Sequence, residues 1–501
     1  MTRHRCLAFA VGTLTLCLTT AAARGQSGSI DLKPYRMEGK PLNGTGLTQL
    51  LAMKSGKVKT RGPQAAANQA LFKQAAEFYV YRVTQDQYYT GNDSGELRNP
   101  TGSDKVMDEA LRDLDIHLLV PKPGERILID QMNYIEDFGA AIDQAVVAVL
   151  TSKGVPPPVI RINAARMLAL AARTGAPAHA KTITALLTNQ LFKGRDGKPA
   201  ETPPDVLYWA LKAAGNLLSA PDPSALGTPN PARHTIKDVD LVPLVQALND
   251  LVLHNPKGLA ARAGTLKPQM EIKPPPAPGA GAPKGDATLE TSPTPPPPAV
   301  DPNALTAEQA ALLRFFRRQA IRALAELRFD AVAEGTPNEL RPGFTLAKVA
   351  ASDVSLNPPP TAAEVGEAVI GLCRVHPSFT LDPDALLHVI AYGTGSFFTP
   401  KAADPDDKSI PWKSYAAQVE AAYAQLQKTA QSNPRLSPKA KQIAALAGIV
   451  TGEVTAPLTA TNGTGRPNFQ RLLPWVQANA PKGGLYSDGK QYQLHPRVGG
   501  R

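Results

Sequence analysis

The stretch that decides the fold is Ile160-Arg161-Ile162-Asn163-Ala164-Ala165-Arg166-Met167-Leu168. Residues four positions apart share a helix face, so Ile160, Ala164 and Leu168 form one narrow apolar stripe with a small residue at its centre. A small side chain at that position lets a second helix come close. The pattern therefore predicts a helix that packs along one face against neighbouring helices.

The same pattern occurs twice more along the chain. A second helix has Ala210 at the small position, and a third helix, which contains Phe316, has Ala320 there, followed by Leu324. Ala164 and Ala210 are separated by a number of residues that falls within the ~40–47-residue period of helical repeats. Helices with such a stripe bury a common core by stacking, so the recurrence predicts a stack of helix pairs.

The phrase Val/Ile-Arg-x-x-Ala-Ala-x-x-Leu resembles the second helix of HEAT and armadillo-like repeats. Arg161 and Arg317 stand where that family often has arginine, whereas Leu207 departs from the pattern. The resemblance is clearest over 138–327 and points to a helical repeat protein of a secreted bacterial type. It implies a curved scaffold that binds partners, and it transfers neither a catalytic residue nor a substrate.

Helical patterning continues beyond these three helices, and no alternation of apolar and polar residues predicts a strand of useful length. We therefore predict an all-α fold, an α-solenoid of HEAT-like helix pairs with a disordered proline-rich insertion. The residues predicted to form its close helix contacts and core are Ala164, Leu168, Ala210, Ala320 and Leu324.

The N-terminus resembles a cleaved secretory signal. Arg3 and Arg5 precede an apolar run, and Ala21 and Ala23 supply the small residues that signal peptidase requires. The run is shorter than the roughly 20 residues needed to cross a bilayer, which favours removal over anchoring. A lipoprotein signal at Cys17 is the alternative, but a bulky leucine precedes that cysteine. We predict a secreted or periplasmic protein with no transmembrane helix after signal removal.

Composition divides the chain into six parts. The segment 273–303 contains runs of three and four prolines, which favour solvated polyproline II over a packed core. It is either a linker between two domains or, as we favour, a loop within one stack, because the helices around Leu241 and Phe316 resemble the halves of one repeat. The predicted parts are a signal peptide (1–23), a partly disordered lead (24–63), a first helical repeat region (64–272), the proline-rich segment (273–303), a second helical repeat region (304–480) and a basic flexible tail (481–501).

The charge of the chain is strongly positive, with a formal net charge of +11 at pH 7. From residue 461 onward, six basic residues face a single carboxylate, that of Asp488. Such an excess favours anionic polymers of the cell envelope, lipid head groups or nucleic acid, although dispersed charge also serves solubility. Nucleic acid is the weakest of these partners, because the sequence shows no interleaving of aromatic and basic residues.

Motifs of catalysis and metal binding are missing from the sequence. There is no His-Glu-x-x-His, no Cys-x-x-Cys and no haem site. Cys373, His376 and His388 are near enough in sequence to converge across a helical hairpin, although a buried inert thiol is the simpler interpretation. An acidic loop at 404–407 lacks the ligand order and glycine of a calcium loop. We predict no catalytic residue, metal ligand or cofactor.

A row of arginines marks the candidate partner-binding surface. Arg314, Arg318 and Arg322 follow each other at intervals of four and share one helix face, where guanidinium groups could bind acidic groups of a partner. A solvated helix back is the plainer interpretation. Together these features predict an exported, non-catalytic scaffold for protein interaction or structure. The alternatives are an envelope polyanion-binding protein and an enzyme whose site is assembled from residues distant in sequence.

Overall fold

The structure, a computed structural model, describes residues 35–85, 100–122, 127–152, 156–194, 197–220, 236–253, 306–353 and 355–486. The predicted signal peptide and proline-rich segment lie outside the described residues, as does most of the predicted basic tail. Contacts group Asp31–Asn255 and Arg314–Arg501 into one compact unit. The other unit is Met1–Ile30 with Pro256–Leu313, of which only 306–313 are described.

The described chain is mostly helical, which confirms the all-α prediction. Its only strands are β1 (Phe192–Lys193) and β2 (Pro199–Ala200), which pair as a two-residue antiparallel hairpin. The helices are α1 (Gly44–Lys54), α2 (Ala65–Val80), α3 (Pro100–His117), α4 (Ile129–Leu150), α5 (Pro158–Ala171), α6 (Ala178–Leu187), α7 (Pro204–Ser219), α8 (Asp238–Leu253), α9 (Ala307–Glu326), α10 (Pro342–Ala350), α11 (Ala362–Leu372), α12 (Pro383–Ala403), α13 (Trp412–Ser432), α14 (Ala440–Ile449), α15 (Ala456–Ala460) and α16 (Leu472–Ala478).

Prolines and capping side chains set where many helices begin. Pro158, Pro204 and Pro383 lie in the first turns of α5, α7 and α12, where proline loses no helical hydrogen bond. At α11, Thr361 and Glu364 form a reciprocal capping box, so two backbone N–H groups at that helix start have partners. These local signals fix the residues at which these helices begin.

Helices that alternate along the chain pack on one another. The helices α4, α6, α8, α10 and α12 each contact the next member of that series, while α5 contacts α7 and α11 contacts α13. The helix α9 meets α7 where Gly215 faces Ala323, and it meets α11 where Gly371 faces Ala325. Small residues therefore lie where these backbones approach most closely.

The repeated phrase lies in this packed region. The residues predicted for close contact and core are all buried, with exposed fractions of 1% or less: Ala164, Leu168, Ala210, Ala320 and Leu324.

The two arginines of the phrase each reach the first turn of another helix. Arg161 of α5 donates through Nε to Asp205 of α7 at 3.0 Å. Arg317 of α9 binds Glu364 of α11 through two nitrogens, at 2.6 and 3.0 Å. The helix α7 has Leu207 at the corresponding position. The arginine pattern therefore corresponds to ion pairs between helices that lie far apart in sequence.

The described parts of the predicted lead and tail contain buried side chains. In the predicted lead, 24–63, the described residues include α1, whose Leu50 and Met53 are fully buried. At the start of the predicted tail, Leu485 and Tyr486 are also buried, and the carbonyl of Leu485 accepts a hydrogen bond from the backbone N–H of Asp382 at 2.8 Å. A few apolar side chains within a polar segment can be buried in the core. The average composition of the segment does not predict their burial.

Among the described helices, one continuous run has the length and mean hydropathy of a membrane span. This run, Ser437–Ala460, includes α14, a π-helical segment at Val450–Thr455, and α15. Its buried side chains, such as Leu446 and Leu458, lie in a segment that packs against α13. Of its most apolar 18-residue window, 44% is buried within the protein.

Candidate functional site

A recess of about 360 Å³ opens between α7, α9, α11 and α13. We call it the charged recess, because most of its polar lining is ionic or amide. Its polar lining residues are Lys212, Asn216, Ser219, Gln319, Arg322, Glu326, Glu367, Arg374 and Gln418. A volume of this size is within the range of ligand-binding pockets. Four helices that are distant in sequence therefore contribute to one concave site.

Glu367 is the centre of a hydrogen-bonded network at the wall of the charged recess. Its Oε1 accepts from Nε of Arg322 at 2.7 Å and from Nη2 of Arg318 at 3.2 Å, and it also accepts from the hydroxyl of Tyr415. Burial opposes ionisation of Glu367, yet the pKa of this carboxyl is lowered, because Arg322 lies against it. Burial and the neighbouring carboxylate raise the pKa of Tyr415. Glu367 is therefore ionised at neutral pH.

Lys212 is the cation of the charged recess that lacks a carboxylate of its own. Its Nζ lies 5.7 Å from the ring centre of Tyr208, and among the described residues it has no ion-pair partner. Burial lowers the pKa of Lys212, and the nearby charges of Arg322 and Arg318 lower it further, although the carboxylate of Glu367 opposes them. An ammonium group in this position is stabilised by any anion that enters the recess.

A second ion pair lies on the same wall. Arg374, two residues after the end of α11, donates to Glu326 of α9 at 3.1 Å, and both residues line the recess. Glu326 thus compensates Arg374, and Glu367 compensates one of the two guanidiniums of Arg318 and Arg322. The charged recess and its immediate surroundings carry an excess of positive charge.

Aromatic side chains lie beside the basic ones along the same helices. The ring of Tyr208 stacks on Phe315 with centroids 5.6 Å apart, and the guanidinium of Arg166 lies 5.7 Å from the ring centre of Trp209. Tyr208 and Trp209 are half-buried. The structure therefore brings aromatic and basic groups together although the linear sequence does not interleave them.

The arginines of the predicted row also make contacts within the protein. Arg318 and Arg322 are both joined to Glu367, with side-chain exposures of 30% and 39%. Nε of Arg314 is buried and makes no hydrogen bond to any described residue. Arg322 therefore enters the recess as part of an ion-pair network, a geometry that helical spacing alone does not reveal.

Sequence reasoning missed most of the charged recess. The other charged and aromatic residues of the network lie outside α9: Lys212 on α7, Glu367 on α11, Arg374 just after α11 and Tyr415 on α13. No local motif links them. The only usable signal was the arginine row, which marks one wall. The remaining residues meet because alternate helices pack together.

The other candidates from the sequence do not form an open site. Cys373 is fully buried, and burial raises the pKa of its thiol. Burial likewise lowers the pKa values of His376 and His388. No three His, Cys, Asp or Glu side chains in the described part of the chain are arranged to hold a metal ion. These three residues therefore offer no ligand set there.

The acidic loop at 404–407 contains a cation from the protein itself. Lys401 of α12 is buried, and its ammonium donates to the backbone carbonyls of Pro405 and Asp407, the latter at 3.1 Å. The ammonium thus holds two carbonyl groups of the loop. This contact fixes the loop against the C-terminal end of α12.

A buried polar cluster outside the charged recess also contains a histidine and an aspartate. Nδ1 of His179 lies 3.2 Å from Asp143, which accepts a hydrogen bond from the hydroxyl of Thr182 at 2.7 Å. His179 is completely buried, and Gly139 packs beside it. A substrate has no access to this group, so the cluster joins α4 to α6.

Comparisons of the chain with protein-family models, curated proteins and solved structures find no match.

Proposed function

We propose that this protein is an exported, non-catalytic scaffold, an α-solenoid of HEAT-like helix pairs, that binds a partner protein at the charged recess. The observation that carries this proposal is the construction of the recess from alternate helices, α7, α9, α11 and α13. In a stack of helix pairs, one helix of each pair faces the concave side and is available to partners. The two-residue hairpin between α6 and α7 is compatible with such a stack.

The chemistry of the recess favours binding over catalysis. General acid–base catalysis near neutral pH needs a group whose pKa lies near the working pH. Glu367 instead has a lowered pKa beside two guanidiniums, and Tyr415 has a raised one. Burial lowers the pKa of Lys212, but no nucleophilic or acidic group among the described residues forms a hydrogen bond with its ammonium to complete a catalytic set. The ionic groups of the recess are therefore suited to electrostatic recognition.

Site-specific photo-crosslinking tests the partner-binding proposal. Gln418 is exposed and lines the recess, so we replace it with p-benzoylphenylalanine and irradiate cells that produce the protein. The matched control carries the same amino acid at Lys441, which is exposed on α14 outside the recess lining. We expect a discrete protein adduct at position 418 that is absent at 441. No adduct, or the same adducts at both positions, would contradict the proposal.

Export has a direct test of its own. Cleavage after Ala23 would make Arg24 the first residue of the mature chain. We expect mass spectrometry of the exported fraction from a bacterial host to show this N-terminus. Recovery of the chain only inside the cytosol, with residues 1–23 retained, would exclude a cleaved signal.

A further inference from the structure

We propose that the charged recess binds an acidic peptide segment of the partner, with a side-chain carboxylate of that segment seated between Lys212 and Arg322. This inference rests on the proposed function and names the chemistry of the ligand. Both cations line the same recess, one on α7 and the other on α9. The proposal therefore assigns the two groups to a single ligand carboxylate.

The charges that line the recess are unequal. The lining has three cations, Lys212, Arg322 and Arg374, and two carboxylates, Glu326 and Glu367. Arg318, which does not line the recess but binds Glu367, adds a further cation. Glu326 is bound by Arg374, and Glu367 is shared by two guanidiniums. The ammonium of Lys212 is consequently left without a carboxylate among the described residues. An entering carboxylate would remove this imbalance and gain charge-assisted hydrogen bonds.

The remaining lining selects a peptide over a polymer of phosphates. Gln319, Gln418 and Asn216 offer amides, which donate and accept hydrogen bonds as a peptide backbone does. The sugar–phosphate backbone of a nucleic acid has no amide groups to pair with them. Leu211 and Ile370 also line the recess and provide apolar contact for a side chain flanking the ligand carboxylate.

The test uses a fluorescent oligoglutamate peptide, acetylated and amidated so that only side chains carry charge. Binding to the full chain is measured by fluorescence anisotropy at low and at physiological salt. A matched oligoglutamine peptide, the oligoglutamate with a free C-terminus, free glutarate and a single-stranded oligonucleotide are the comparison ligands. The protein variants are Lys212→Met, Lys212→Arg, and Lys441→Met, which removes the same charge from an exposed position outside the recess.

We expect the blocked oligoglutamate to bind, with affinity that falls as salt rises, and the oligoglutamine not to bind. Lys212→Met should weaken binding by about tenfold or more, whereas Lys212→Arg and Lys441→Met should leave it within about twofold. Thermal melting should show that Lys212→Met is folded, because an unpaired half-buried ammonium adds nothing to stability.

Three results would overturn the inference. One is equal binding by wild type and Lys212→Met, and another is an equal loss in Lys441→Met. The third is a preference for the oligonucleotide, the free C-terminus or glutarate over the blocked peptide. If any of these occurs while crosslinks at position 418 persist, the ligand class is wrong and partner binding stands. Loss of both peptide binding and crosslinks would remove the proposed function as well.

Discussion

Arg317 shows how much one residue of the repeated phrase can determine. Its guanidinium binds Glu364 through two nitrogens and donates to the carbonyl of Pro358 at 2.6 Å, so it joins α9 to the start of α11 and to the preceding loop. The side chains of Arg317 and Glu364 are 6% and 0% exposed. A charge in such a place is tolerated only while its partner is present.

Removing that guanidinium should therefore be costly. We expect Arg317→Met to lower the free energy of unfolding by about 3–5 kcal/mol, because Glu364 would be left buried without its ion-pair partner. Arg161→Met is the matched control from the same position of the phrase. The pair that Arg161 forms with Asp205 is more exposed, so its loss should cost about 1 kcal/mol or less. Equal losses in urea denaturation would refute this account.

A single residue, Asp330, should also make the stability of the protein depend on pH. Burial raises the pKa of this carboxyl to about 6, although Ser378 donates to it through its backbone N–H and its hydroxyl, each at 2.7 Å. Because the folded-state pKa lies above the unfolded value, the group stabilises the fold fully below about pH 4. That contribution is lost as pH rises through about 6.

We expect Asp330→Asn to remove the decrease in stability that occurs as pH rises through about 6. Relative to wild type, the variant should become more stable between about pH 4 and 7, by on the order of 3 kcal/mol at the upper end. Parallel melting curves of both proteins across that range measure the difference. A difference that stays constant with pH would show that Asp330 does not titrate in this window.

At the scale of elements, the distance between helices depends on small residues. A Cβ added at Gly371 of α11 would lie 2.7 Å from the Cβ of Ala325 on α9, which is too close for ordinary contact. Gly448 of α14, in contrast, has nothing within 4 Å of such a Cβ. The two helical glycines thus have opposite roles.

The same substitution should have opposite effects at these two positions. We expect Gly371→Ala to destabilise the protein by about 1–3 kcal/mol through overpacking. Gly448→Ala should stabilise it by up to about 1 kcal/mol, because alanine has the higher helix propensity. Thermal unfolding of both variants provides the measurement. If Gly371→Ala melts at or above the wild-type temperature, α9 and α11 do not pack as closely as described.

At the scale of the whole molecule, residues far apart in sequence complete one core. Tyr486 donates from its hydroxyl to the carbonyl of Asp330 at 3.2 Å, and the guanidinium of Arg341 lies 4.3 Å from the centre of its ring. Leu485 beside it is fully buried. The last described residues therefore pack against the segment that connects α9 to α10.

Removing these last residues should therefore lower the stability of the protein. A chain that ends at Gly483 loses Leu485 and Tyr486, and we expect a loss on the order of 1.5–3 kcal/mol for each buried side chain. A chain that ends at Tyr486 keeps both contacts and is the control. Melting temperatures should fall for the first chain alone. A matching fall in the control would mean that residues after 486 contribute the stability instead.

The helices on the two sides of the proline-rich segment pack together. The helix α8 precedes that segment and α10 follows it, yet α8 and α10 contact each other. If the segment is an insertion in one stack, a chain cut within 273–303 at an engineered protease site should stay together. We expect both fragments to elute as one species in gel filtration and to separate only in denaturant. Separation without denaturant would support a linker between two domains.

The sequence by itself determined the helical class and the burial of Ala164, Ala210 and Ala320, because helix periodicity and residue size are local properties. Arg161 and Arg317 could also be selected from the sequence, although their acidic partners could not. Only the tertiary structure decided that Lys212 of α7 meets Arg322 of α9 at one recess. Contacts between helices depend on how alternate helices pack, and no pattern within a single helix encodes them.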